Sequence, residues 1–268
     1  MPESVPAPML FAGVSTDWPT FHRVLRRLDA VIAASDVPLS QRWIRGMHGL
    51  AALRKAGLGP MSGRDADTLL EGIFRGALTS AASAVTGSGN LTVVARVLLR
   101  QQVLDQARRT TVHDLEQKGR HRWLLLKAAI QFLSGSGNTP DLGAGFSKVS
   151  FNAVESMTAG TSPESDALLT RYFRVKLQSV AFCGVGYHNL PLHEGFLALA
   201  LQQAVITWLA RWHAVSAGRS RPVVEDFEQA IQRADHNWGH GRNPAPVLRL
   251  LVQKGDLERL CVIQRLRS

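Results

Sequence analysis

Cysteine is nearly absent from this chain: Cys183 and Cys261 are the only two in 268 residues. Two thiols exclude a disulfide framework and a four-thiolate metal site. Each sits among apolar neighbours, Ala181 and Phe182 for one, Leu260 and Val262 for the other, so buried and inert thiols are expected. Long hydrophobic runs are missing too. The longest apolar stretch, Leu197 to Leu209, is broken by Gln202, Gln203 and Thr207. A membrane span needs about 20 nearly uninterrupted apolar residues, so this stretch reads as a buried core helix and no membrane partner is expected. Met1 to Leu10 contains Pro2, Glu3, Pro6 and Pro8 and no basic stretch. A secretory leader is not expected there, and a cytoplasmic location is.

Acidic residues are in deficit, 21 Asp and Glu against 31 Lys and Arg, for a formal net charge of +10. Arg108, Arg109, Lys118, Arg120, Arg122 and Lys127 form the densest basic run, and Arg249, Lys254, Arg259, Arg265 and Arg267 form a second. Such a surface suits an acidic protein, a nucleic acid or an anionic small molecule, or is simply a solvated surface. Zinc-finger spacing, ribonucleoprotein motifs and a long basic helix with heptads are lacking, which removes the dedicated nucleic-acid readers. Gly-Ser-Gly at 87–89 and 135–137 has neither the preceding strand nor the spacing of a dinucleotide fingerprint. Neither a Gly-x-Ser-x-Gly elbow nor a Walker loop is present. Alternating strand patterns with hairpin chemistry and repeats of fixed period are absent as well.

What is present is helical periodicity. Phe21, Val24, Leu25, Leu28, Val31 and Ile32 recur on one face, with Asp17 or Thr16 to cap and Pro19 in the first turn. Pro38-Leu39-Ser40 restarts the chain, and Trp43, Ile44, Met47, Leu50, Ala51 and Leu53 repeat the pattern up to Gly57 and Gly59. Ser62 to Val85 places Leu69, Leu70, Ile73, Phe74, Ala77 and Leu78 on one face, with close helix contact as the reason for Gly72 and Gly76. Helices are expected from Leu91 to about Arg108 and from about His121 to Leu133. Ser134 to Ser165, rich in Gly, Ser, Thr, Asn and Pro, reads as a long internal loop. Asp166 to Phe182, Leu192 to His213, Pro222 to Trp238, Pro246 to Gln253 and Asp256 to Arg265 complete the set. The spacing predicts an all-α fold, a multi-helix bundle of about nine or ten helices. Residues 1–15 are expected as an N-terminal tail and 16–268 as a single helical domain with the loop near 134–165.

Two histidine clusters carry whatever chemistry the residues suggest. Tyr187-His188-Asn189-Leu190-Pro191-Leu192-His193-Glu194 lies between two predicted helices, after Gly184 and Gly186. His193 and Glu194 read either as an acid–base pair or as a helix start in which Glu194 merely favours the dipole. The second cluster is His236-Asn237-Trp238-Gly239-His240. Its i, i+4 histidines share a helix face that a metal uses only with a third ligand, such as Glu194 or Asp235; the alternative is a helix C-terminus carrying favourable imidazoles. The zincin glutamate is missing between them, so no metal site is expected. His193, Glu194, His188 and His236 are the candidate catalytic groups. Tyr187, Trp208, Asn237, Trp238 and His240 are the candidate substrate-binding ones. A pocket is expected between the 187–194 loop and the 236–240 helix end, and no cofactor is indicated.

The segment Phe21 to Arg54, with Pro38-Leu39-Ser40-Gln41-Arg42-Trp43, resembles the start of the helical region of the flagellin lysine-N-methylases. Leu168-Leu169-Thr170-Arg171-Tyr172-Phe173, leading through Ala181-Phe182 and a Gly-containing loop into the long apolar helix Leu192 to Trp212, is similar as well, as is Asp226 to His236-Asn237. The resemblance covers roughly residues 15 to 240. It implies a helical protein related to lysine methylation. Members of that family carry a cysteine-rich metal-binding region, which this chain lacks, so no catalytic residue carries across. The expectation is a small-molecule or peptide tailoring enzyme, transferase- or cyclase-like. The alternative is a non-catalytic binding or accessory protein whose basic surface meets an acidic partner or nucleic acid.

Overall fold

A computed structural model describes residues 6–57, 63–85, 91–107, 118–143, 145–158, 160–236, 238–239 and 242–262. Among the described residues there are eleven helices and one two-stranded sheet, an all-α, multi-helix fold. The helices are α1 (Trp18–Ala33), α2 (Leu39–Ala56), α3 (Gly63–Val85), α4 (Val93–Ala107), α5 (Lys118–Ser134) and α6 (Phe151–Ser156). They continue with α7 (Pro163–Gln178), α8 (Leu192–Ser216), α9 (Val224–His236), α10 (Ala245–Gln253) and α11 (Asp256–Val262). No described helix is long and apolar enough to cross a membrane. Two features depart from the sequence expectation. The strands β1 (Met9–Phe11) and β2 (Val14–Ser15) pair antiparallel around Gly13. Segment 134–165 contains α6, and the buried Thr139 ties its strands of loop together through Ser147 O, Val149 O and Val149 N.

The chain divides into two compact units. Unit one comprises Met1–Gly89, Leu169–Ala200 and Pro244–Arg249; unit two comprises Asn90–Leu168, Leu201–Asn243 and Leu250–Ser268. Helices α7, α8 and α10 each contribute residues to both.

In unit one, Asp17 caps α1 by accepting the Thr20 N–H at 2.6 Å, and Pro19 occupies the first turn. Gly57, in the left-handed conformation, stops α2. The core centres on Trp43, whose ring meets Phe173 edge-on at 5.0 Å and Phe196 at 4.9 Å. Gly46 and Gly49 leave room on α2 for the rings of Phe196 and Phe74. Arg42 is buried, and its guanidinium is partnered by three acceptors: it donates to Val37 O, Ile32 O and Thr170 Oγ1 at 2.7, 3.1 and 2.9 Å. The bond to Ile32 O satisfies a carbonyl left open where α1 ends, and the bond to Val37 O ties down the link to α2. Gly72 and Gly76 do not mark close helix contacts: a Cβ at either would meet nothing within 4 Å. Leu69 and Ala51, expected on buried faces, are exposed.

In unit two, Phe132, Phe146, Phe151, Trp208 and Trp212 form an aromatic core of edge-on and tilted pairs. Trp212 Nε1 donates to Ser147 O at 2.8 Å, which fixes the 139–149 loop over that core. Thr92 accepts the Ala95 N–H at the start of α4 and donates its hydroxyl to Asp256 at 2.7 Å. Arg233 donates to Ala107 O and Leu142 O at 2.5 and 3.1 Å while its guanidinium lies over Phe146. An arginine thus closes the C-terminal end of α4, where carbonyls have no helical partner.

Candidate functional site

Four of the residues singled out from the sequence lie in unit one, around the turn between α7 and α8. Gly184 and Leu190 form a bridge, and Leu190 N donates to Tyr187 O at 3.0 Å. Between them His188 and Asn189 both take positive φ, 50° and 58°, the geometry of a type I′ turn. A histidine there carries local strain, offset by the bonds that close the turn. Its ring lies 5.0 Å from that of Tyr187, whose phenol burial pushes up from its ordinary pKa.

His193 sits in the first turn of α8 with its ring 5.5 Å from Phe11 of β1. Burial, assisted by the charge of Arg54, pulls its imidazole down to about 4, so it is neutral at physiological pH. Glu194 is half-buried beside it, and no hydrogen bond joins the two among the described residues. The next position, Gly195, packs so tightly that a Cβ would overlap the Phe182 carbonyl oxygen. That contact fixes the direction in which α8 leaves the turn and therefore where His193 points.

The remaining candidates lie in unit two. His236 is the last residue of α9 and is exposed; Trp238 follows in a turn, its N–H donating to Asp235 O at 3.0 Å. Asn237 and His240 lie outside the described residues. Trp208 is fully buried in the aromatic core, in ring contact with Phe132, Phe151 and Trp212. The two histidine clusters therefore belong to different units. Among the described residues, no three His, Cys, Asp or Glu gather as a metal-binding group. Cys183 and Cys261 are free and buried, their thiols pushed up to about 12 by burial, which leaves neither as a nucleophile at neutral pH.

Two arrangements escaped the sequence reading. In unit two, Asp226 is completely buried and accepts from Arg219, from His213 Nδ1 at 2.6 Å and from the Val223 N–H at 2.9 Å. Burial alone would raise this carboxyl; the bonds from Arg219, His213 and Val223 outweigh it and hold the group below its ordinary value. The opposite edge of the His213 ring rests on Gly145, where a side chain would overlap Nε2. The imidazole is thus a clasp between α8, α9 and the 143–147 loop. The legible signal was Asp226 in the first turn of its helix, reaching back to the residue before it as in a capping box.

The second arrangement is a surface groove in unit one. Pro19, His22, Arg23 and Arg26 line an open depression of about 430 Å3 on α1. Trp18 flanks it, 37% exposed, its ring 5.7 Å from that of His22. Trp18, His22 and Arg26 follow at i, i+4 and i+8, so they stack along one outward face. Asp67 lies 3.5 Å from Arg23. This stripe was readable as the complement of the buried Phe21–Leu25–Leu28 face. Compared with protein-family models, curated proteins and solved structures, the chain matches none. The groove's chemistry is therefore read from its own residues: two guanidiniums and an imidazole beside an indole edge, a combination that attracts anions and stacks on flat groups.

Proposed function

We propose that this chain is a helical binding or accessory protein that meets an acidic partner or a nucleic acid through its basic surface, working in the cytoplasm. The observation that carries this reading is the α1 groove, in which three of the four lining residues are basic and an exposed indole stands alongside. The excess of basic over acidic side chains across the chain favours the same kind of partner. The test is fluorescence anisotropy with a labelled single-stranded oligonucleotide and with polyglutamate, at two salt concentrations. Binding that weakens steeply with salt, and by roughly tenfold in a His22→Ala, Arg26→Glu double variant, supports the reading. Salt-insensitive binding, or binding that the variant leaves intact, overturns it.

A second reading is a tailoring enzyme, transferase- or cyclase-like, related to the flagellin lysine-N-methylases. One observation favours it: the turn between α7 and α8 gathers Tyr187, His188 and His193 in one short segment of unit one, with the rings of Tyr187 and His188 5.0 Å apart. Native mass spectra recorded with and without S-adenosylmethionine test it. A retained methyl donor supports methyl transfer, and a clean apo mass argues against it.

A further inference from the structure

Helix α5 is apolar on two sides. Its inward side buries Ala128 and Phe132, the latter against Phe151, Trp208 and Trp212. Its outward side leaves Trp123, Leu126, Ile130 and Leu133 exposed at 66%, 51%, 56% and 44%. A surface helix normally turns polar residues outward, and single exposed apolar side chains need no explanation. Four in register on one helix do. Their spacing is i, i+3, i+7 and i+10, which places them within an arc of about 80° over a length of about 15 Å. That is the alternating a and d spacing of a helix–helix seam.

The same register identifies what covers the seam. With Trp123 at an a position, Lys127 takes an e position, one of those that flank a seam and choose its partner. Lys127 is exposed. Across its whole length α5 carries Lys118, Arg120, Arg122 and Lys127 and no Asp or Glu. A second copy of this chain would set like charges against each other along the seam. A lipid surface is matched by a broad apolar face, whereas this one is narrow. We infer that the outward face of α5 is a docking site for an amphipathic helix of another protein, with apolar residues at its own a and d positions and Glu or Asp at e and g. The site lies in unit two and uses none of the α1 groove, so it stands whether or not that groove binds polyanions.

The experiment uses the full chain and synthetic three-heptad peptides with Leu at a and d. One peptide has Glu at e and g, a second has Lys there, and a third keeps the Glu but has Ala at a and d. Anisotropy should show the Leu/Glu peptide binding roughly tenfold or more tighter than either control. Ile130→Asp should abolish that preference while the circular dichroism melt stays unchanged, since Ile130 is exposed. A Lys127→Glu variant should bind the Leu/Lys peptide better than the native protein does. The inference is overturned by equal binding of the Glu and Lys peptides or by an Ile130→Asp variant that binds as well as the native protein. It is equally overturned by a dimer that Ile130→Asp dissolves, or by phosphatidylglycerol vesicles engaging this face in place of the peptide.

Discussion

Arg100 and Glu155 face each other as a buried, bidentate ion pair, Nε to Oε1 at 2.6 Å and a second nitrogen to Oε2 at 2.7 Å. A third charge shares the site. Arg211 is buried as well, drawn down to about 10 by burial while Glu155 works against that shift. One carboxylate therefore serves two guanidiniums, and removing it is worse than removing either cation. Breaking a buried pair costs about 3–5 kcal/mol. Glu155→Gln should fall at the upper end and Arg100→Met at the lower, because Arg211 still faces Glu155 in the second variant. Urea titrations of both decide this. An Arg100→Met loss equal to or greater than that of Glu155→Gln would remove Arg211 from the arrangement.

Two helical glycines should respond oppositely to alanine. Gly72 on α3 meets open space, so Gly72→Ala gains helix propensity, about 0.5–1 kcal/mol. At Gly195 the same methyl overlaps the Phe182 carbonyl, and backbone must move, so Gly195→Ala should lose about 1–3 kcal/mol or more. Thermal midpoints of the two variants should shift in opposite directions.

The neutral state of His193 predicts a pH dependence. Its folded pKa, about 4, lies below the ordinary value of 6.5. The unfolded chain therefore binds the proton first as pH falls, and stability present above pH 6.5 is lost progressively down to about 4, by roughly 1–3 kcal/mol. Acid-range stability curves for the native protein and His193→Gln should diverge over that window, with the variant flatter. Parallel curves would mean that the imidazole is not desolvated.

Gln202 is buried, and neither atom of its amide has a hydrogen-bond partner among the described residues. An unsatisfied buried polar group costs about 1–3 kcal/mol, so Gln202→Leu should raise stability. If Gln202→Leu destabilises instead, water or another group satisfies the amide.

Sequence periodicity by itself determined the helices other than α6, which lies in the segment read as loop. The caps at Asp17 and Gly57, the restart at Pro38 and the predominantly apolar α8 are local features, set by backbone hydrogen bonding and a 3.6-residue repeat within a few turns. It also marked the turn between α7 and α8 as a place where His188 and His193 come close in the chain. Tertiary structure alone decided what surrounds those residues. Arg42, Arg100, Glu155 and Arg233 belong to residue types usually found at the surface, yet each is buried. Their partners lie far off in the chain: Thr170 is 128 positions from Arg42, Glu155 is 55 from Arg100, and Ala107 is 126 from Arg233. Likewise the exposure of Trp123, Leu126, Ile130 and Leu133 could not be read from their apolar character, because hydrophobicity says only that a side chain favours burial. Which apolar face of a helix is covered depends on the elements packed against it, and on α5 the inward face is the one that Phe132 buries in the aromatic core.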